Sequence, residues 1–314
     1  MNITTVNFGV LLDSLGCINH AAAVLKRSTQ PKMKPKEKPQ KKILLALLFL
    51  CQIAFAQNYS LSFDGVDDYV AVSGPIATFS DQISFSGWLL VNDSTKSRNP
   101  LFGKWPESGT SFGHSLYLGH YNDGGNSIVS FAINLEDGSR PEVFGGTIKE
   151  NYWHYIVGTK DESHLRLYVD GVIVGEISAS GNISNPDGST TLGSYDQHSE
   201  HFLSGKIDET AIWNTELSVS EIQSYMSSSP TGSENGLVGY WNFNEGTGTT
   251  LTDQTSNGND GTIYGATWSD DVPVFGCTDA YASNYNSDAT INDGSCTGYP
   301  DNGEYSLSFD GEDD

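Results

Sequence analysis

Alternating apolar and polar residues dominate the middle of the chain. Between Trp153 and Glu176, two runs place an apolar residue at every second position, and Asp170-Gly171 separates two stretches of β-branched and aromatic residues. A period of two is typical of half-buried strands, and Asp-Gly favours a tight hairpin turn. The pattern therefore predicts an antiparallel meander of three strands.

Comparable short strands recur from Tyr59 to Trp213, with turn residues such as Asp64-Gly65 between them. One helix is predicted over residues 218–226, where Ser218 and Glu221 have the spacing of a capping box. Many short strands at regular spacing indicate a sandwich or barrel. We expect an all-β, antiparallel fold with one short helix.

Further segments follow this unit. Residues 227–235 form a linker rich in Ser, Pro and Gly, and residues 236–268 hold strand-like runs that either complete this unit or begin the next. Residues 305–314 repeat residues 59–68 with one difference in ten positions. This repetition predicts that a second domain begins at residues 304–314 and that the chain is a fragment of a longer array.

The N-terminal segment has the pattern of an export signal. Lysines crowd residues 34–42, an apolar run covers residues 43–53, and Ala54-Phe55-Ala56 forms a small-x-small cleavage site. The apolar run is shorter than the roughly 20 residues that cross a bilayer. We predict a signal peptide at 33–56, an untranslated or non-native leader at 1–32, and a mature protein that is secreted or on the cell surface after cleavage near Ala56.

The net charge limits the classes of possible partner, and the cysteine content predicts a disulfide. The formal net charge is −23, and residues 57–314 hold only 8 of the 16 Lys and Arg residues. Such an acidic surface repels nucleic acids and anionic membranes, so we expect no nucleic acid partner and, with the short apolar run, no membrane insertion. It suits cation binding or solubility in salty surroundings. Only Cys277 and Cys296 follow the signal, and an isolated pair in an exported chain predicts a disulfide.

Five separate blocks of sequence resemble one family. Their order and content are similar to a laminin G-like jelly-roll domain of the concanavalin A-like lectin/glucanase superfamily. The blocks are residues 61–70, 85–88, 153–161, 167–171 and 202–218. The resemblance implies a jelly roll over residues 58–228, followed by a linker and strand pair at 229–270. Residues 276–296 resemble a short Cys-bounded repeat of bacterial secreted proteins, which predicts a small disulfide-closed loop module.

The resemblance does not decide whether the chain is an enzyme, because this fold occurs in binding proteins and in enzymes. Glucanases of this superfamily place acids two and four residues apart on one strand, so that both reach one cleft. In the matching segment, Asp208 has Lys206 and Thr210 as its same-face neighbours, and strict alternation turns Glu209 to the other face. We therefore predict that this chain has no catalytic residues and is not an enzyme.

Calcium is the candidate cofactor. In domains that this chain resembles, loop acids hold the ion, and hard oxygen ligands suit it. The alternative is that the acids in turns accept local backbone hydrogen bonds. The residues carried over from the resemblance are Asp67, Asp68, Asp196 and Asp208.

Aromatic residues with polar neighbours are candidates for carbohydrate binding. The alternative is that they are ordinary strand residues. The candidates are Trp105, Tyr117, Tyr121 and Tyr195.

These observations favour a non-catalytic binding or adhesion module of a repetitive secreted or cell-surface bacterial protein, with carbohydrate or an extracellular protein as its partner. Two alternatives stay open at this point. The first is an accessory carbohydrate-binding module of a polysaccharide-degrading enzyme whose catalytic domain lies beyond residue 314. The second is a spacer that binds nothing.

Overall fold

A computed structural model describes residues 58–72, 76, 78–104, 116–184, 189–195 and 201–298. The predictions for the leader at 1–32, the signal peptide at 33–56 and the second domain at 304–314 lie outside these residues. Among the described residues, no helix is long and apolar enough to cross a membrane.

The regular secondary structure of the described residues is almost entirely β-strand. One α-helix, α1 (Val219–Ser227), lies between β12 and β13. In chain order the strands are β1 (Ser60–Asp64), β2 (Tyr69–Val72), β3 (Ile83–Val91), β4 (Arg98–Lys104), β5 (Leu116–Asp123), β6 (Asn126–Ile133), β7 (Glu142–Gly145), β8 (Trp153–Lys160), β9 (His164–Val169), β10 (Val172–Ser178), β11 (Thr190–Leu192), β12 (Ser204–Trp213), β13 (Leu237–Trp241), β14 (Thr250–Leu251), β15 (Gly261–Tyr264), β16 (Thr267–Ser269), β17 (Phe275–Gly276) and β18 (Ile291–Asn292).

Two eight-stranded antiparallel sheets form a sandwich, which confirms the predicted all-β jelly roll. The first sheet has the order β10-β9-β8-β3-β12-β1-β16, and β13 also pairs with β12. The second sheet has the order β14-β15-β2-β11-β4-β5-β6-β7. The meander predicted from the alternating pattern is β8-β9-β10, with Asp170 and Gly171 both at positive φ in its turn. Helix α1 begins after Ser218, and the predicted capping box with Glu221 is present.

Apolar residues cover three of the four sheet faces. The inner faces of both sheets meet in one core, where the rings of Phe85 and Phe102 lie 5.2 Å apart. The outer face of the first sheet carries a second apolar cluster, which includes Trp88, Tyr155 and Trp213 and is covered in part by Ile222 of α1. The outer face of the second sheet remains as a surface for polar and aromatic side chains.

Residues 237–269 complete the same sandwich. Strand β13 pairs with β12, β15 pairs with β2, and β16 pairs with β1. Trp241 and Phe243 are fully buried in the main core. The segment therefore belongs to this unit, which decides between the two arrangements that the sequence left open.

The segment that contains the disulfide packs on the outer face of the first sheet. Cys277 is bonded to Cys296, as predicted. The ring of Phe275 meets Trp88 edge-on at 5.5 Å, and Asp271 accepts hydrogen bonds from Trp153 Nε1 and from Lys206 Nζ. This segment therefore helps to cover the apolar cluster around Trp88.

We predict that Trp241→Ala lowers the free energy of unfolding by about 3–5 kcal/mol, the usual loss for a fully buried Trp. Val66→Ala, at a side chain that is 68% exposed, is the control and should change it by less than about 0.5 kcal/mol. Denaturant unfolding followed by tryptophan fluorescence measures both. A similarly small loss for both variants would contradict the placement of residues 237–269 in the core.

Candidate functional site

Polar and aromatic side chains from neighbouring strands converge on the outer face of the second sheet. Residues along each strand alternate between the core and this outer face. In β5, Leu116 and Leu118 point into the core, so that Tyr117 and Tyr121 point outward. In β7, Val143 points inward between two outward residues. We call this surface the aromatic–arginine patch; it consists of Arg98, Tyr117, Tyr121, Arg140, Glu142, Phe144 and Tyr195.

Arg98 lies at the centre of the patch. Its guanidinium carbon lies 4.6 Å from the ring centroid of Tyr117 and 4.8 Å from that of Tyr121. Its Nη1 and Nη2 atoms each donate to Glu142 Oε1 at 3.2 Å. Stacking on the rings and hydrogen bonding to the carboxylate together fix the plane of the guanidinium.

A second arginine uses the other oxygen of the same carboxylate. Arg140 Nη1 lies 2.9 Å from Glu142 Oε2, and Arg140 Nη2 donates to the Tyr195 hydroxyl at 3.5 Å. Two guanidinium groups therefore share one carboxylate. Both guanidinium groups stay protonated at all physiological pH values.

The aromatic rings of the patch differ in their exposure. Tyr117 and Tyr195 are buried beneath Arg98, and the Tyr117 hydroxyl donates to the carbonyl of His120. Burial raises the pKa of Tyr117, so that its hydroxyl stays protonated. Tyr121 is half-buried and Phe144 is 43% exposed, with ring centroids 5.3 Å apart. These two rings form the accessible apolar part of the patch.

The structure brings three of the four predicted aromatic residues together. Tyr117, Tyr121 and Tyr195 surround Arg98, whereas Trp105 lies outside the described residues. Sequence reasoning missed Arg98, Arg140, Glu142 and Phe144. The composition could have drawn attention to the arginines, because arginine is rare in the acidic part of the chain after residue 56. It occurs there only as Arg98, Arg140 and Arg166.

The acids predicted to bind metal are divided between different places. Carboxylate oxygens of Asp64, Asp67 and Asp68 lie within 4.8 Å of one another in the turn after β1. Asp196 lies outside the described residues. Asp208 lies elsewhere, because Asp64 is opposite Ser204 on β12 and Asp208 is four residues farther along, roughly 13 Å at strand spacing.

The turn after β1 concentrates negative charge. Burial raises the pKa of Asp68, and the charges of Asp64 and Asp67 raise it further, against a hydrogen bond that Asp68 accepts from the backbone of Asp64. Lys96 Nζ donates to the carbonyl of Gly65 in the same turn. Three carboxylates are a donor set of the kind that calcium prefers, so the residues present fit a calcium ion.

The expectation that Glu209 faces away from Asp208 is wrong. A β-bulge interrupts the pairing of β12 with β3, and Glu209 has a φ of 51°. Asp208 is opposite Trp88, and Glu209 accepts a hydrogen bond from the Tyr240 hydroxyl, so both acids reach the outer apolar cluster of the first sheet. Asp208 is 4% exposed, which puts its carboxyl group beyond the reach of a polysaccharide.

Asp208 is a buried acid that has no counter-ion among the described residues. Its Oδ1 atom has no hydrogen-bond partner. Burial raises the pKa of Asp208 well above its ordinary value, the charge of Glu209 raises it further, and a backbone hydrogen bond from Glu209 lowers it. The folded protein therefore holds a proton that the unfolded chain releases at lower pH.

The apolar cavity between the sheets is too small for a sugar. Its volume is about 20 Å³, and its lining includes Phe79, Phe85 and Ile212. That volume holds about one water molecule. The surface of the second sheet is therefore the better place for a ligand.

Comparison with known proteins gives a family match and several similar structures. The family model described as the concanavalin A-like lectin/glucanases superfamily matches residues 64–223, just over half of the chain. No curated protein matches the chain. A protein from Bacteroides ovatus that is proposed to bind carbohydrate is similar in structure, with a TM-score of 0.51 and 18% identity over 68% of this chain and 59% of that chain. At this identity the similarity shows the fold alone, and the match spans less than two thirds of that protein.

Two other similar structures have lower scores. A native heptameric pentraxin from Limulus polyphemus has a TM-score of 0.44 and 11% identity, covering 55% of this chain and 84% of the pentraxin. Domain 4 of an extracellular arabinanase from Geobacillus stearothermophilus, solved with arabinotriose, has a TM-score of 0.40 and 19% identity, covering 52% of this chain and 74% of that domain.

We predict that Asp208→Asn reduces the loss of stability that the protein suffers as pH rises from about 4. The pKa of an unfolded Asp is near 3.9, and the pKa of folded Asp208 is higher. The contribution of Asp208 to stability is therefore greatest below the unfolded pKa and falls as pH rises toward the folded pKa, by up to about 1.4 kcal/mol per pH unit. Asn keeps the neutral form at every pH. Unfolding curves between pH 4 and 8 measure the slope.

The control for this experiment is Asp123→Asn, at an exposed residue of the hairpin between β5 and β6. It should keep the slope of the unaltered protein. Equal slopes for all three proteins would show that Asp208 is ionised in the folded state.

Proposed function

Because the chain belongs to the concanavalin A-like lectin/glucanases superfamily, we propose that it is a non-catalytic, extracellular carbohydrate-binding module. The observation that carries the proposal is the aromatic–arginine patch. The patch combines aromatic rings, two guanidinium groups and a carboxylate. It lies on the outer face of the second sheet, which neither α1 nor the disulfide-containing segment covers.

The patch offers the two kinds of contact that sugars use. The rings of Tyr121 and Phe144 provide an apolar surface for the C–H face of a sugar ring. Arg140 and Glu142 provide donors and acceptors for hydroxyl groups. The contacts of Arg98 hold these groups in place before a ligand arrives, which reduces the entropy lost on binding.

We also propose that calcium binds at Asp64, Asp67 and Asp68. The mutual repulsion of these carboxylates, together with the burial of Asp68, supports a bound cation. Three carboxylate groups leave further positions to be filled, because calcium takes six to eight oxygens. Asp64 joins the set because its carboxylate oxygen lies beside those of the two predicted ligands.

The extracellular setting is part of the proposal. The disulfide between Cys277 and Cys296 is typical of proteins in oxidising compartments. The repeat of residues 59–68 at 305–314 supports a role as one unit of a longer secreted or cell-surface protein. In that setting a carbohydrate-binding module attaches the protein to glycans.

We predict that Phe144→Ala weakens binding to any polysaccharide that the chain retains by about tenfold or more. Removal of a central aromatic anchor costs about 1–2 kcal/mol or more. The measurement is a glycan-array screen followed by titration calorimetry. The control is Tyr281→Ala, since Tyr281 is 75% exposed and lies in the disulfide-containing segment; unchanged affinity in Phe144→Ala would exclude the patch as the binding site.

We predict that millimolar calcium raises the melting temperature relative to chelator, because a ligand that binds only the folded state stabilises it, by about 2.7 kcal/mol at 100 times its Kd. The double variant Asp67→Asn/Asp68→Asn should melt at one temperature in both conditions. Differential scanning calorimetry measures this. Asp123→Asn should keep the shift, and a protein that melts identically with calcium and with chelator does not have this site.

A further inference from the structure

We infer that the outer face of the second sheet holds a second carbohydrate-binding subsite, in which a sugar ring stacks on Tyr264 beside Tyr69. This inference rests on the proposed carbohydrate-binding function and adds a site on the opposite side of the same face. It is carried by a stacked pair of tyrosine rings, by the space next to that pair and by the threonine hydroxyls that adjoin it.

The two tyrosines stand on adjacent strands. Tyr69 of β2 is directly opposite Tyr264 of β15. Val70 and Ile263 point into the core, so the tyrosines point outward. The ring centroids lie 4.7 Å apart, with an angle of 16° between the ring planes. Tyr69 therefore covers one face of the Tyr264 ring and orients it.

The exposure of Tyr264 distinguishes this pair from one that only stabilises the sheet. Cross-strand aromatic pairs contribute to stability through the contact between their side chains. Tyr69 is half-buried in this contact, whereas Tyr264 is 46% exposed. A ring that a neighbour already orients loses little side-chain entropy when a ligand stacks on it.

The second face of the Tyr264 ring is turned toward the edge of the sheet, where Gly248 lies. Thr250 of β14 is opposite Thr262 of β15, and the same antiparallel register puts Gly248 beside Tyr264. Trp268 Nε1 donates to the Gly248 carbonyl at 3.1 Å, which fixes this glycine in place. Among the described residues, no atom beyond its chain neighbours lies within 4 Å of the position that a Cβ of Gly248 would take. This arrangement leaves space for a ligand at the ring face.

Hydroxyl groups adjoin the ring on the same face. Thr262 precedes Tyr264 by two residues on β15, and Thr250 is opposite Thr262; both threonines are exposed. Two residues of a strand span roughly 6.6 Å, so a sugar that lies on the ring is within reach of these hydroxyls. Hydroxyls donate and accept hydrogen bonds. An aromatic ring with a few polar groups beside it suits the apolar face and the hydroxyls of a sugar.

The subsite is separate from the aromatic–arginine patch. In the order of the second sheet, β15 and β7 are six strand spacings apart. At about 4.8 Å per spacing, Tyr264 and Phe144 lie roughly 29 Å from each other. A trisaccharide cannot contact both, so it fills the two sites independently. A polysaccharide that engages both sites binds more tightly than its short fragments.

The test locates the bound sugar by two-dimensional NMR of the full chain. The probes are laminarin, xylan, arabinan and galactan, each with its trisaccharide. The trisaccharide of the polymer that binds most tightly should shift amide signals at two places, β15 with Gly248 and β7. In Tyr264→Ala only the signals of β7 should shift, and the affinity for the polymer, measured by titration calorimetry, should fall by about tenfold or more.

A second variant and a control complete the test. Tyr264→Leu keeps an apolar side chain against Tyr69 and lacks the flat ring, so it should behave as Tyr264→Ala does. It serves as the test variant if circular dichroism shows that Tyr264→Ala is not folded. The matched control is Tyr152→Ala, which removes a tyrosine that is 58% exposed and precedes β8 of the first sheet. It should keep both groups of shifts and the full affinity.

Each remaining outcome has a distinct meaning. Shifts confined to β7 in the unaltered chain, with unchanged polymer affinity in both Tyr264 variants, would overturn the second subsite and leave the carbohydrate-binding function standing. Shifts confined to β15 and Gly248 would support the subsite and remove the patch as a binding site. A failure to bind any sugar of the panel or of the glycan array would reject the proposed function together with the subsite.

Discussion

The burial of β3 on both of its faces determines how the rest of the molecule is arranged. All nine residues of this strand, Ile83–Val91, are buried. One face of β3 packs in the core between the sheets, so the other face, with Trp88, needs a cover of its own. Helix α1 and the disulfide-containing segment provide it. A strand in a simple two-layer sandwich would bury one face and expose the other.

This unequal covering distinguishes the outer face of the second sheet, where the proposed carbohydrate-binding patch lies, from that of the first. Its outward residues can be aromatic and charged because neither α1 nor the disulfide-containing segment packs on them. Phe144 lies there at 43% exposure, whereas Trp88 on the first sheet is almost wholly buried. The same asymmetry explains why Asp208 and Glu209, which point out from the first sheet, are enclosed among apolar side chains and have raised pKa values.

Local features could be predicted from the sequence. The meander and helix α1 were found because alternation and a capping box depend on residues close together in the chain. The membership of residues 237–269 could not be decided, since their partners in β1 and β2 lie more than 180 residues away. The bulge at Glu209 was missed because strict alternation gives no sign of a non-glycine residue at positive φ. Tyr117 and Tyr121 were identified as candidates, but their meeting with Arg98 and Glu142 depends on the register of four neighbouring strands.

The pairing of β1 with β16 has a mechanical consequence. Ser60 lies opposite Ser269, so the chain enters and leaves the sandwich at the same end of two adjacent antiparallel strands. Tension applied through these two ends separates the strands from that end and loads their hydrogen bonds one at a time. Strands pulled in shear share the load among all their bonds, and they resist a greater force. Tension therefore separates β1 from β16 once the contacts of the disulfide-containing segment with the first sheet, such as those of Phe275 and Asp271, are broken.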